Sequence, residues 1–176
     1  MTHLAQAHGF PDDVFADVLT ANAEYARGFE DSHLTGKALR GLAIITCMDS
    51  RIEPLSIVGM RPGDVKIIRN AGARVTEDVL RTLVLATHLL GVTRILVMPH
   101  TDCRMASGTE AEVHAQILAQ SGVDTRSIEI RTDRDQAQAL RTDLTRVRSF
   151  PLLHEGVSVA GAFLDVATGR LLPFRD

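Results

Sequence analysis

Two short polar clusters in this chain of 176 residues carry the residue types from which metal sites are built. The clusters are Cys47-Met48-Asp49-Ser50-Arg51 and His100-Thr101-Asp102-Cys103. Thiolate and imidazole groups suit zinc, and the spacing of His100 and Cys103 lets one turn direct both at a single ion. Asp49 can be a fourth ligand or stand beside an open position, where Arg51 can bind its carboxylate in a bidentate pair.

Each cluster directly follows an apolar run that is typical of a buried parallel strand. These runs are residues 42–46 and residues 95–98. The carboxyl ends of parallel strands lie at one edge of a sheet, which is where open α/β sheets bind their ligands. If the two strands are neighbours, two thiols, an imidazole and a carboxylate meet there.

Alternating strand and helix signals along the chain predict an α/β fold with a twisted, mostly parallel sheet of four to five strands flanked by helices. The pattern predicts helices at 11–27, 52–58, 76–90, 109–121 and 133–148, and strands at 42–46, 65–68, 95–98 and 127–130. Less regular alternation over 157–172, with a turn at Thr168-Gly169, predicts a terminal hairpin or edge strand. We expect a single domain over 1–176, in which 1–40 form an N-terminal helix and arm.

Composition excludes several classes of function. The net charge of −3 gives no basic excess that would attract nucleic acid or an anionic membrane, and the absence of Trp leaves few base-stacking platforms. The first ten residues lack the pattern of a signal peptide, and no apolar stretch approaches the roughly 20 residues of a membrane helix. We therefore expect a cytoplasmic protein with no nucleic-acid or membrane partner.

Simpler explanations compete with the metal site. A cysteine after a strand is often a core residue, and an Asp-x-Arg motif is often a surface ion pair. A zinc site with two Cys, one His and one Asp can also be purely structural. A Cys–His nucleophile competes weakly, because it needs only one of the two cysteines. The joint occurrence of these residues at two strand ends favours the metal site.

The motifs taken together resemble those of the β-class carbonic anhydrases, specifically the short bacterial and archaeal members. The matching segments span nearly the whole chain: residues 47–51, Arg69-Asn70-Ala71-Gly72, residues 76–83, residues 100–103 and residues 161–169. Cys-x-Asp-x-Arg followed at a distance by His-x-x-Cys is a specific signature, whereas either half alone is weak.

The resemblance implies a zinc enzyme, with one Zn²⁺ per subunit, that reversibly hydrates CO2 to bicarbonate and a proton through a zinc-bound hydroxide. It implies Cys47, His100 and Cys103 as zinc ligands, and Asp49 and Arg51 as a catalytic dyad. In such a dyad Asp49 either pairs with Arg51 or moves onto the zinc as a fourth ligand. The resemblance further implies a homodimer, possibly a tetramer, with the active sites near the interface.

Two residues depart from the pattern of that family, and two other functions stay open. Arg104 and Ala73 stand where the family commonly has glycine, and Arg104 can crowd the pocket, alter the local potential or point to solvent. The same site can instead hydrolyse carbonyl sulfide or carbon disulfide. Alternatively, the chain is a catalytically silent, zinc-stabilised dimeric binding protein in which Asp49 closes the site. Arg51 argues against this last function, because a structural site needs no such partner.

Overall fold

A five-stranded sheet forms the centre of the computed structural model, which describes residues 10–175. The strands are β1 (Leu42–Cys47), β2 (Val65–Asn70), β3 (Arg94–Met98), β4 (Ser158–Leu164) and β5 (Leu171–Pro173). Their order across the sheet is β2-β1-β3-β4-β5. The first four strands of the chain run parallel, and β5 pairs antiparallel with β4. The prediction of a mostly parallel α/β sheet is confirmed.

Helices connect the strands and begin where the sequence offers capping side chains. The α-helices among the described residues are α1 (Ala16–Arg27), α2 (Pro54–Ile57), α3 (Glu77–Leu89), α4 (Glu110–Ser121) and α5 (Gln136–Arg148). Side chains of Thr76, Thr109 and Asp135 accept hydrogen bonds from backbone N–H groups in the first turns of α3, α4 and α5. These bonds satisfy donors that a helix start otherwise leaves without partners.

The prediction of a strand at 127–130 is wrong. These residues form a turn followed by an irregular segment. The backbone N–H groups of Ile130 and Arg131 donate to the side-chain carboxylate of Glu110, 3.0 and 2.9 Å away, instead of to a neighbouring strand. The remaining strands are β4, which pairs with β3, and β5, which completes the predicted terminal hairpin.

By its internal contacts the chain divides into two units, Met1–Leu34 and Thr35–Asp176. The first contains α1 and a short 3-10 turn at Asp31–His33, and the second contains the whole sheet. The single domain over 1–176, with its arm at 1–40, stays a prediction. The sequence predicts no signal peptide in the first ten residues. The first nine of these lie outside the residues that the structure describes. Within 10–175, no helix combines the length and apolar character needed to cross a membrane.

Apolar clusters cover both faces of the sheet, and β1 contributes to each of them. Ala43 and Ile45 pack in the cluster that includes α3 and α5, whereas Ile44 packs in the other cluster. All six residues of β1 are buried, which explains why this strand is a continuous apolar run and not an alternating one. The second cluster also contains Cys47 and Cys103, so apolar side chains surround the two candidate sulfur ligands.

Gly161 of β4 lies against α5 and leaves no room for a side chain. A Cβ atom there would lie 3.0 Å from Leu144 Cδ1 and 3.1 Å from Leu140 Cδ2. We expect Gly161→Val to lower the free energy of unfolding, measured by urea denaturation, by about 1–3 kcal/mol, because overpacking forces side chains from their rotamers. Gly36→Val is the matched control, since a Cβ there meets no atom within 4 Å. Equal stability of the two variants would contradict this packing.

Candidate metal centre

The carboxyl ends of β1 and β3 bring the candidate ligands to one edge of the sheet. β1 ends at Cys47, and His100 comes two residues after the end of β3. These strands are neighbours, and β2 lies on the other side of β1, so the strand order reverses at this point. A single parallel bridge joins His100 to Leu164 of β4, and the N–H of Thr101 donates to the Leu164 carbonyl. These bonds fix the chain that carries the imidazole.

Cys47, His100 and Cys103 form a compact cluster that fits one metal ion. Their ligand atoms all lie within 4.8 Å of one another, and all three residues are buried. A tetrahedral zinc site with usual bond lengths separates its sulfur and nitrogen ligands by about 3.5–3.8 Å. The three side chains therefore need little movement to bind a single ion.

The tautomer of His100 directs a lone pair into this cluster. Its Nδ1 lies 2.8 Å from the carbonyl oxygen of Thr101, and because a carbonyl only accepts, Nδ1 must carry the proton. Nε2 is left with its lone pair, is buried, and has no hydrogen-bond partner within 10–175. A buried polar atom without a partner costs about 1–3 kcal/mol. A metal ion bonded to Nε2 would remove that cost, so the residues fit a metal.

Cys47 accepts a hydrogen bond from a backbone N–H group. Gly72 donates to Cys47 Sγ at 3.4 Å. Gly72 has a φ of +78°, and a Cβ there would lie 3.2 Å from Met105 Cβ, so both conformation and space require glycine. Burial raises the pKa of the Cys103 thiol to about 11. A bound cation is what would hold it as a thiolate near neutral pH.

Asp49 pairs with Arg51 and lies beside the three ligands. The backbone N and Nε of Arg51 donate to Asp49 Oδ1 at 2.9 and 3.0 Å, and Nη2 donates to Oδ2 at 2.8 Å. The side-chain bonds above all hold the pKa of Asp49 well below its usual range, and they raise the pKa of the Arg51 guanidinium. Asp49 Oδ2 is 3.8 Å from His100 Nε2. A small rotation would therefore bring the carboxylate to the position of a fourth ligand.

Two contacts at this centre were not predicted from the sequence. Arg69 donates from Nε to the Cys47 carbonyl at 2.9 Å and from Nη2 to the Asp49 carbonyl at 2.7 Å, which fixes the backbone between them. Asp102 accepts a bond from Arg51 Nη1 at 2.8 Å. Both residues belong to motifs that carry the family resemblance, and these motifs were the available signal. Nothing in the sequence indicates that Asp102 pairs with Arg51, which is distant from it in the chain.

The two departures from the family pattern leave the ligand cluster open. Arg104 is exposed, and its guanidinium donates to the side chains of Ser107 and of Gln116 in α4. Of the three alternatives for this cation, the structure shows the one in which it lies toward solvent. Ala73 is buried and adopts a φ of +58°, a conformation that costs a non-glycine residue about 1–2 kcal/mol.

Comparisons with known proteins agree on one family. A family model described as carbonic anhydrase matches residues 42–171, a range that contains both polar clusters. Beta-carbonic anhydrase 1 of Mycobacterium tuberculosis is 35% identical over 156 residues, which cover 88% of this chain and 94% of the relative. The crystal structure of a carbonic anhydrase from Streptococcus mutans aligns with a TM-score of 0.86 at 34% identity, over 96% of this chain and 100% of that chain.

A relative with a different activity matches part of the chain. A carbon disulfide hydrolase of Saccharolobus solfataricus is 42% identical over 91 residues, which cover 52% of this chain and 44% of the relative. This match covers about half of the chain and less than half of the relative.

Metal removal should destabilise the folded chain. We expect chelation to lower the melting temperature of the Zn²⁺-loaded protein by about 5–15 °C, because a ligand that binds only the folded state stabilises it by mass action. In His100→Ala and Cys103→Ser the difference between loaded and chelated protein should disappear in scanning calorimetry. His88→Ala is the control, since His88 is exposed on α3 and bonds the Leu152 carbonyl. An undiminished difference in either ligand variant would contradict the assigned cluster.

Proposed function

The chain belongs to the β-carbonic anhydrase family, and on that premise we propose that it reversibly hydrates CO2 to bicarbonate and a proton at the centre formed by Cys47, His100 and Cys103. One observation carries the proposal: Arg51 holds the Asp49 carboxylate beside the three ligands. A silent structural site has no use for that arrangement, because Asp49 would serve it best as the fourth ligand.

Zinc is the metal that we propose for this centre, one ion per chain. Two thiolates and one imidazole form a donor set that suits zinc better than the oxygen-preferring ions magnesium and calcium. When bound, zinc supplies a Lewis acid that makes a water molecule acidic enough to act as a nucleophile near neutral pH.

Asp49 and Arg51 are proposed to orient the reacting water. Because its pKa is lowered, Asp49 is ionised near neutral pH and can only accept hydrogen bonds. Accepting a bond from the attacking water would turn a lone pair of that water toward the carbon of CO2. Arg51 would hold the carboxylate in place, and Arg69 would fix the backbone of Asp49.

Hydrolysis of carbonyl sulfide or carbon disulfide is the second candidate function. Both molecules share with CO2 a linear shape and an electrophilic central carbon, so the same oriented water could attack them. The partial match to a carbon disulfide hydrolase supports this function. A carbon disulfide hydrolase of Acidithiobacillus thiooxidans that covers 76% of this chain is only 26% identical, whereas the carbonic anhydrase that covers 88% is 35% identical, which favours CO2.

Replacing Asp49 should separate metal binding from turnover. We expect Asp49→Ala to retain one zinc per chain and to lose CO2 hydration by about 10²- to 10⁴-fold, because the water loses its acceptor. Stopped-flow hydration with a pH indicator and metal analysis on the same sample give both quantities. Asp124→Ala is the control, because Asp124 pairs with Arg126 at the same spacing on an exposed segment. Undiminished turnover in Asp49→Ala would contradict the role assigned to Asp49. Faster turnover of carbon disulfide than of CO2 by the wild-type protein would favour the second candidate function, hydrolysis of carbonyl sulfide or carbon disulfide.

We also propose that the chain forms a homodimer through α1. This helix buries none of its side chains, and Val18, Leu19 and Tyr25 are exposed on it. Apolar side chains on an exposed helix are typical of an interface, and a second copy of the chain is the occupant that we propose. Tetramer formation, the cytoplasmic location and the lack of nucleic-acid or membrane partners stay predictions.

Sedimentation velocity tests the dimer. The expected mass is twice the 19.2 kDa of one chain. Val18→Glu combined with Leu19→Glu should shift the protein toward monomer, because burying carboxylates in an apolar interface is costly. A monomeric wild-type protein at micromolar concentration would contradict the proposal.

A further inference from the structure

The pairing of Asp49 with Arg51 is a local geometry that the chain also forms elsewhere. Asp124 and Arg126 have the same two-residue spacing, and their bonds join the same atoms. The backbone N and Nε of Arg126 donate to Asp124 Oδ1 at 3.1 and 2.9 Å, and Nη2 donates to Oδ2 at 2.7 Å. In both pairs the arginine lowers the pKa of the aspartate. The spacing therefore permits such a pair away from the candidate metal centre, whereas Arg104, at the same spacing from Asp102, donates to Ser107 and Gln116 instead.

A second carboxylate distinguishes the pair at the metal centre from the other. Arg51 Nη1 donates to Asp102 Oδ2 at 2.8 Å, and Nη2 donates to the Asp102 carbonyl at 3.1 Å. Together with the bonds to Asp49, these contacts engage all three nitrogens of the guanidinium group and fix its plane. Arg126 has no second carboxylate partner within the part of the chain that the structure describes.

The backbone of the ligand loop explains how Asp102 reaches Arg51. Asp102 lies between His100 and Cys103 and has a φ of +53°. Among non-glycine residues, Asp and Asn adopt this left-handed conformation most readily. The turn that brings His100 and Cys103 to one point therefore selects a residue type that includes aspartate, and it leaves the carboxylate against the guanidinium group.

We propose that Asp102 is a positioning residue of the metal centre, which holds Arg51 in the orientation that keeps the Asp49 carboxylate beside the metal position. The proposal rests on the proposed function, because the location of Asp49 has a consequence only where a metal competes for it. Asp102 acts through Arg51, the residue that its carboxylate and carbonyl contact.

The exposure of the Asp102 side chain decides whether removing its carboxylate strengthens or weakens the hold of Arg51 on Asp49. Removing this carboxylate has two opposed consequences: Arg51 loses a competing anion, which strengthens its attraction to Asp49, and it also loses the contact that orients it. The Asp102 side chain is 81% exposed, so solvent and salt screen its charge. Freeing a long arginine side chain restores much rotamer freedom, which weakens its hold on Asp49. We therefore expect Asp49 to move toward the metal.

Thiocyanate binding to the cobalt(II)-substituted protein tests this shift. Thiocyanate and Asp49 compete for the fourth position on the metal, and visible absorption follows the titration at a fixed pH. We expect Asp102→Gly to weaken the apparent affinity for thiocyanate by about three- to tenfold, since the open arrangement becomes less populated. Asp102→Asn should lose about two- to threefold, because its amide oxygen still accepts the Nη1 bond without the charge. Both variants tolerate the left-handed backbone, so the loop is preserved.

The sign of the change separates positioning from simple electrostatics. Removing a negative charge near the metal would by itself strengthen the binding of an anion, whereas the proposal requires weaker binding. Asp124→Asn, in the matched surface pair, should leave the affinity unchanged. In an Asp49→Ala background, Asp102→Gly should no longer weaken binding, because the competing carboxylate is gone.

Two results would overturn the proposal. One is a thiocyanate affinity in Asp102→Gly and Asp102→Asn that equals or exceeds that of the wild type. The other is an equal loss of affinity with and without Asp49. The titration needs metal binding but no CO2 turnover. A chain that shows the expected shifts and yet fails to hydrate CO2 would therefore contradict the proposed function and leave the role of Asp102 standing.

Discussion

The parallel pairing of β1 with β3 is the constraint on which the metal centre depends. It sets Thr46 opposite Met98, so that the chain leaves the sheet at the same level on both strands. Cys47 and His100 therefore lie at one edge although they are far apart in the sequence. β2 lies on the other side of β1, so the chain segments that follow β1 and β3 diverge at the edge of the sheet. The crevice between these two segments contains the candidate ligands.

Burial of polar ligand atoms connects stability with metal binding in this fold. His100 is fully buried, and its Nε2 has no hydrogen-bond partner within the described residues. Cys103 lies among apolar side chains that disfavour the thiolate. The unpartnered Nε2 opposes folding, and a cation bonded to it and to the two sulfurs would remove that penalty. Metal binding would therefore favour the folded state.

Arginine side chains fix the loops around the ligands through main-chain oxygens, and Arg51 does so through carboxylates as well. Arg69 bonds the carbonyls of Cys47 and Asp49, and Arg51 bonds the carbonyl of Asp102 in addition to two carboxylates. Guanidinium groups suit this task because their donors lie in a fixed plane. The loops that carry the ligands are therefore joined to each other as well as to the sheet.

The sequence by itself determined what depends on near neighbours in the chain. Apolar runs identified strands β1 to β3, and the capping residue Thr76 marked the start of α3. The spacing of Asp49 and Arg51 permits their pairing, as the second pair on the surface shows. Such contacts join residues that are close in the chain, so their formation costs little loop entropy. Whether they form therefore depends mainly on the types of the residues involved.

Only the tertiary structure decided which strands became neighbours and what lay across the crevice. Residues 127–130 have the composition of a strand, yet the N–H of Ile130 bonds the Glu110 carboxylate and the segment pairs with none of the five strands of the sheet. The contacts of Gly72 with Cys47 and of Asp102 with Arg51 join segments that are distant in the chain. Their partners are set by strand order and loop path, which arise from packing the whole core and not from any local pattern.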